Sequence, residues 1–93
     1  MTSFKTLKIK ITGQVQGVFF RFAAKELADE MGLKGWARNE PENNVSVTIQ
    51  GPPEFVDDFL KWCHQGPSHA RVDHVEVVEE PDAEIYENFE IRY

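Results

Sequence analysis

Over 93 residues the spacing of apolar side chains passes from the period of a strand to the period of a helix twice, and that order restricts the fold more than any other feature. Leu7, Ile9 and Ile11 alternate with Lys8 and Lys10, and the alternation runs into a turn-prone stretch at Gly13, giving a first strand over residues 7–15. From Phe20 the repeat lengthens. Phe20, Ala24, Leu27 and Met31 fall on one helical face, widened by Ala23 and Ala28, while Lys25, Glu26, Asp29 and Glu30 lie elsewhere. Gly32 followed by Leu33 has the form of a left-handed C-terminal cap with its apolar contact. "LKGWARN" and "VSVTIQ" then read as the arms of a hairpin, joined through "EPENN", where Pro41, Asn43 and Asn44 supply turn chemistry. After "GPP", Phe55, Val56, Phe59, Leu60, Trp62 and Cys63 make a second helical stripe, with Pro53 near its first turn and Gly66-Pro67 beyond its last. Val75 and Val77 open another strand, which Pro81 stops, and Phe89, Ile91 and Tyr93 alternate in a final short one.

The order is βαββαβ with a short extra strand. Two β-α-β halves in a chain of this length predict an α+β, ferredoxin-like split βαβ sandwich: an antiparallel sheet with both helices on one face, and residues 1–93 as a single domain. At 41% hydrophobic and 28% charged residues the composition is that of an ordinary globular protein. "MTSFKTLKIKIT" lacks the unbroken apolar run of a signal peptide or membrane span, so the expectation is a cytoplasmic chain with no membrane association.

Cys63 is the only cysteine, which excludes an intrachain disulfide and a thiolate metal cluster. His64, His69 and His74 have no helical ligand spacing and read as surface or packing residues, so no metal and no cofactor are expected. Ten basic against 16 acidic side chains leave a formal charge of −6, which opposes nucleic-acid binding. Trp36, Phe19, Phe20 and Phe22 are accordingly expected to pack in the core, not to stack on bases. Any phosphate ligand must be held locally, against the field of the whole molecule.

"GQVQGVFFR", Gly13 to Arg21, has the composition for such local binding. A glycine-rich passage from strand to helix lets successive backbone N–H groups face an anion, and the helix N-terminus adds free donors and the positive end of its dipole. Gly17 permits a close backbone approach, and Arg21, one residue into the helical pattern, can add a bidentate fork. By spacing alone the same residues also fit an ordinary turn followed by a solvated arginine. Lys25 shares a helical face with Arg21 and reads as solvated.

"GQVQGVFFR" followed across one helix by "GWARN" resembles the paired signature of acylphosphatases, small enzymes that hydrolyse the carboxyl-phosphate bond. The resemblance continues through "GPP", "GPSHARVDHVEV" and "FEIRY". It implies that Val15, Gln16, Gly17, Val18, Phe19 and Phe20 form a phosphate-binding loop, that Arg21 grips the phosphoryl group, and that Asn39 positions the attacking water. It also implies a monomer whose substrate is a small acyl phosphate, with inorganic phosphate as product and competitive inhibitor. Ala37 stands where the family usually has valine, and Asn43-Asn44 where many members have Asp-Gly. Without the resemblance, Asn39 reads as a turn-former at the end of a strand.

That chemistry is internally consistent. The departing carboxylate has a pKa of roughly 4, so no general acid is required, and catalysis reduces to placing a water and gathering charge. No Ser-His, Cys-His or paired-carboxylate arrangement surrounds the two motifs. The alternative is a non-catalytic anion-binding or protein-interaction module of the same fold. A third reading, transfer or editing within a carbamoyl-phosphate-using assembly, draws on acylphosphatase-like domains of multidomain proteins.

Overall fold

The computed structural model describes residues 4–93. Its elements are β1 (Lys5–Gln14), α1 (Phe20–Met31), β2 (Lys34–Glu40), β3 (Asn44–Gly51), α2 (Pro53–Gln65), β4 (Arg71–Glu79) and β5 (Phe89–Arg92). They form one five-stranded sheet in the order β4-β1-β3-β2-β5. The first four strands pair antiparallel, as the βαββαβ order predicts. The short fifth strand joins parallel to β2, Gly35 opposite Phe89 and Ala37 opposite Ile91, which makes the sheet mixed.

The parallel pairing follows from the connection before β5, which must carry the chain from one edge of the sheet to the other. Glu80 N–H donates to the Thr6 carbonyl (2.9 Å) as the chain leaves β4. The Gln50 amide then holds the middle of the connection, donating to the Glu84 carbonyl (2.8 Å) and accepting from the Tyr86 N–H (3.0 Å). Gln50 is a buried polar residue with both ends of its amide bonded, as a buried amide must be. Having crossed, the chain can only add to the free edge of β2 in the direction it arrives.

Alternation sorts the strands cleanly. Leu7, Ile9, Ile11, Val45, Val47, Ile49, Ala37 and Phe89 belong to one buried cluster, joined there by Phe20, Ala24 and Ala28 of α1 and by Val56, Phe59 and Cys63 of α2. Both helices therefore cover the same face. Trp62 packs between them, its ring 5.2 Å from Phe20 and 5.7 Å from Phe59. The buried line on α1 runs Phe20, Ala24, Ala28, with Leu27 and Met31 partly buried at its flank. Two alanines at its centre let the helix approach the sheet closely, so the fully covered stripe is narrower than the sequence periodicity predicts. Phe55 likewise stands outside the buried line of α2 and is exposed.

The caps behave as their sequences predict. Gly32 adopts φ 71°, Leu33 N–H donates to the Ala28 carbonyl (2.8 Å), and α1 stops. Pro53 opens α2, where its missing N–H removes nothing from the helix.

Candidate active site

The turn between β1 and α1 is prepared one step earlier, at Gly13. The register of β1 against β4 slips between Thr12 and Gly13, and a Cβ at Gly13 would collide with the Arg71 carbonyl. A bulge of this kind bends the strand that carries it and increases its local twist. Val15 is then fully buried and anchors the start of the loop, and Val18 packs against the core. Gly17 adopts φ 73° where an added Cβ would meet nothing within 4 Å, so the glycine is required by conformation and not by space.

Phe19, the residue before α1, is also left-handed, at φ 61° and ψ 28°. Two left-handed residues within three positions curl the backbone tightly, a conformation in which successive N–H groups can turn to one side. The first helical bond runs from Ala23 N–H to the Phe19 carbonyl (2.9 Å). The N–H groups of Phe20, Arg21 and Phe22 precede it and have no intrahelical acceptor. No side chain caps this end of the helix and no acidic residue lies in its first turn, so its donors and dipole are uncompensated.

The side chain of Gln16 has a task of its own, separate from the backbone of the loop. Its Nε2 donates to the carbonyls of Glu40 (2.7 Å) and Asn44 (2.9 Å), which flank the turn of the β2–β3 hairpin. The side chain thus ties the loop to the hairpin that carries Asn39. Asn39 lies near the end of β2, opposite Val45 and on the helix-covered side of the sheet. Its neighbour Glu40 points to the other side, where the Arg38 guanidinium (2.8 Å) holds its carboxyl below the usual range.

Arg21 enters from the first turn of α1. Its Nη1 donates to the Arg92 carbonyl on β5 (3.1 Å), and its guanidinium lies 4.8 Å from the centre of the Tyr93 ring. Among the described residues no carboxylate pairs with it. One turn on, Lys25 donates to Asp29 (2.9 Å) and to the Phe89 carbonyl (3.1 Å), so it braces α1 against β5 and stays outside the site.

Loop, helix and sheet meet around a cavity of about 390 Å³, lined by Val15, Gly17, Phe19, Phe20, Arg21, Phe22, Asn39, Ile91 and Tyr93. Arg21 is the one charged side chain among these, so the lining is locally positive in a chain of net charge −6. Asn39 and Arg21, 18 positions apart in sequence, reach the same cavity from opposite layers. Sequence reasoning missed Phe22, Ile91 and Tyr93. The alternation of Phe89, Ile91 and Tyr93 puts them on one face, but only the pairing of β5 with β2 brings that face beside Asn39.

The aromatic residues correct one expectation. Phe20 does fill the core and Phe19 and Phe22 are exposed at the cavity, whereas Trp36 is buried but on the opposite face of the sheet, with the guanidinium groups of Arg38 and Arg92 over its ring. Cys63 is buried and the three histidines are exposed. Among the described residues no three His, Cys, Asp or Glu side chains are grouped to hold a metal ion, and no helix is long and apolar enough to cross a membrane.

Comparison with known proteins places this geometry in context. The family model for acylphosphatase matches residues 7–91. An acylphosphatase of Rubrobacter xylanophilus is 44% identical over 88 residues, covering 95% of this chain and 80% of its own. Among solved structures, an acylphosphatase from Bacillus subtilis superposes with a TM-score of 0.92 at 29% identity, covering 96% of this chain and 99% of its own. One from Coxiella burnetii gives 0.90 at 30% identity, over 96% and 93% of the two chains.

Proposed function

The chain belongs to the acylphosphatase family, and from that premise we propose that it hydrolyses acyl phosphates to a carboxylate and inorganic phosphate with the residues gathered in this cavity. The backbone N–H groups of residues 15–20 and of the α1 N-terminus take the phosphoryl oxygens, and Arg21 adds its guanidinium to them. Asn39 orients a water on the far side of the phosphorus. The water oxygen forms the new P–O bond, the bond from phosphorus to the acyl oxygen breaks, and its electron pair leaves with the carboxylate. The proton lost by the water passes to the released phosphate or to solvent.

The observation that carries this reading is the convergence on a single cavity of a helix N-terminus without a side-chain cap, one guanidinium with no carboxylate partner and one carboxamide with no side-chain hydrogen bond among the described residues. Positioning and charge suffice for this reaction, because the leaving carboxylate, with a pKa of roughly 4, departs unprotonated. A non-catalytic module would need the cradle and not Asn39, and the family match favours the enzyme. Inorganic phosphate, held by the same cradle, is the product and a competitive inhibitor. The proposed working unit is a monomer, since a single chain supplies the loop, Arg21 and Asn39 together, and a lone cysteine suits a cytoplasmic location.

The test is phosphate release from benzoyl phosphate by purified protein in excess chelator. Release well above the uncatalysed background is expected. Background release alone would overturn the enzymatic reading.

A further inference from the structure

The cavity has more wall than a phosphoryl group can use. At about 390 Å³ it falls within the range of ~300–1,000 Å³ typical of sites that enclose whole organic ligands. Its polar groups, the Gly17 backbone, Arg21 and Asn39, account for phosphate and water. What they leave is an apolar rim. Phe19 is 80% exposed and Phe22 52%, although Phe20 between them is fully buried in the core. The chain thus spends two large aromatic side chains on solvent at the mouth of its site, and one of them sits on a left-handed residue where a non-glycine side chain is strained.

The geometry of the reaction selects which part of the rim meets the acyl group. Attacking and leaving oxygens lie roughly in line through phosphorus. Water held at Asn39 comes from the sheet, so the acyl oxygen departs away from it, past the backbone cradle and toward the mouth of the cavity, where the side chains of the loop and of the first turn of α1 form the wall. Phe19 and Phe22, three residues apart, occupy that wall. Tyr93 is on the other side, on the β5 end beside Asn39, with its ring over the Arg21 guanidinium.

Resting on the function proposed above, we propose that Phe22, with Phe19 beside it, is the specificity-determining wall that receives the acyl group, so that this protein favours aromatic and branched aliphatic acyl phosphates over acetyl or carbamoyl phosphate. Apolar contact with the leaving group adds binding that a one- or two-carbon acyl group cannot make. Phosphate affinity is set by the cradle and is independent of it.

The experiment measures kcat/KM for benzoyl phosphate and for acetyl phosphate in the wild type and in Phe22→Ala, Phe22→Leu and Phe55→Ala, the last an exposed aromatic on α2 away from the cavity. Comparing the ratio of the two substrates across variants cancels their intrinsic reactivities. Phe22→Ala should lower the benzoyl-to-acetyl ratio about tenfold, the lower end of what apolar contacts contribute to discrimination, and Phe22→Leu should lower it less. Phe55→Ala should leave the ratio unchanged, and inhibition by inorganic phosphate should be the same in Phe22→Ala as in the wild type. A ratio in Phe22→Ala equal to that of the wild type overturns the acyl wall while leaving the enzyme reading intact. Loss of both activities together with phosphate inhibition also overturns it, since Phe22 would then act through the cradle. A wild type that turns over neither substrate overturns the proposed function itself, and the wall with it.

Discussion

In the proposed reaction Arg21 and Asn39 divide the work at the level of single residues, and substitution should separate them. Arg21→Lys keeps a positive charge but loses the planar fork, and with it the simultaneous reach to the Arg92 carbonyl and to a phosphoryl oxygen. Turnover should fall by ~10²-fold, as for loss of one preorganised donor, and inhibition by inorganic phosphate should weaken with it. Retention of both would make Arg21 a bracing residue like Lys25. Asn39→Ala removes a carboxamide that bonds to nothing among the described residues, so stability should hardly change while kcat and kcat/KM drop together by ~10²-fold. Inhibition by phosphate should persist. A folded Asn39→Ala protein with normal kcat would leave the water without a guide. The purpose of each residue is thus read from which constant moves, with the denaturation midpoint as control.

Elements matter because the two halves of the site sit on different ones. The cradle belongs to the β1–α1 turn and Asn39 to the β2–β3 hairpin, and Gln16 joins them through two hydrogen bonds to carbonyls on either side of the hairpin turn. Gln16→Leu should destabilise the fold by about 1–3 kcal/mol, the worth of two such bonds. It should also lower kcat more than it weakens phosphate inhibition, because the cradle remains intact while its distance to Asn39 is no longer held. Equal losses in both would mean that Gln16 supports the cradle alone. On the other side of the cavity, α1 is clamped to β5 by Arg21 and Lys25, each donating to a carbonyl of that strand. The short parallel strand therefore finishes the site wall as well as the sheet edge.

For the whole molecule, the site and the core are coupled through α1, whose first turn lines the cavity and whose Phe20 packs on Trp62 of α2. Cys63, one residue on from Trp62, is fully buried, and burial pushes its thiol well above the ordinary range. Alkylation of the native protein should therefore proceed only through unfolding, and ligand binding to the folded state should slow it. Inorganic phosphate at about 100 times its dissociation constant should slow labelling of Cys63 by ~100-fold if global unfolding is required. A labelling rate indifferent to phosphate would show that α2 opens while the site stays formed.

Much of this could be read along the chain, because strand and helix periods, caps and turn residues are local properties. The order of elements, the stops at Gly32 and Pro81, and the start of α1 at Phe20 all follow from neighbours within a few positions. The proposed anion-binding role of the first turn likewise starts from neighbouring residues: a glycine, a helix start and an arginine. The exposure of Phe19 and Phe22 was not legible, since a phenylalanine beside a turn has the same local pattern whether it closes a core or rims a cavity. Neither was the task of Gln16, whose partners lie 24 and 28 positions away. The narrow buried stripe of α1 and the parallel docking of β5 also depend on what lies opposite. Local sequence determined which segments could form and what chemistry they carried. Only the packing of α1 and β5 against β2 decided that Arg21, Asn39 and an apolar wall share one cavity, because that proximity is made by contacts across the chain and not along it.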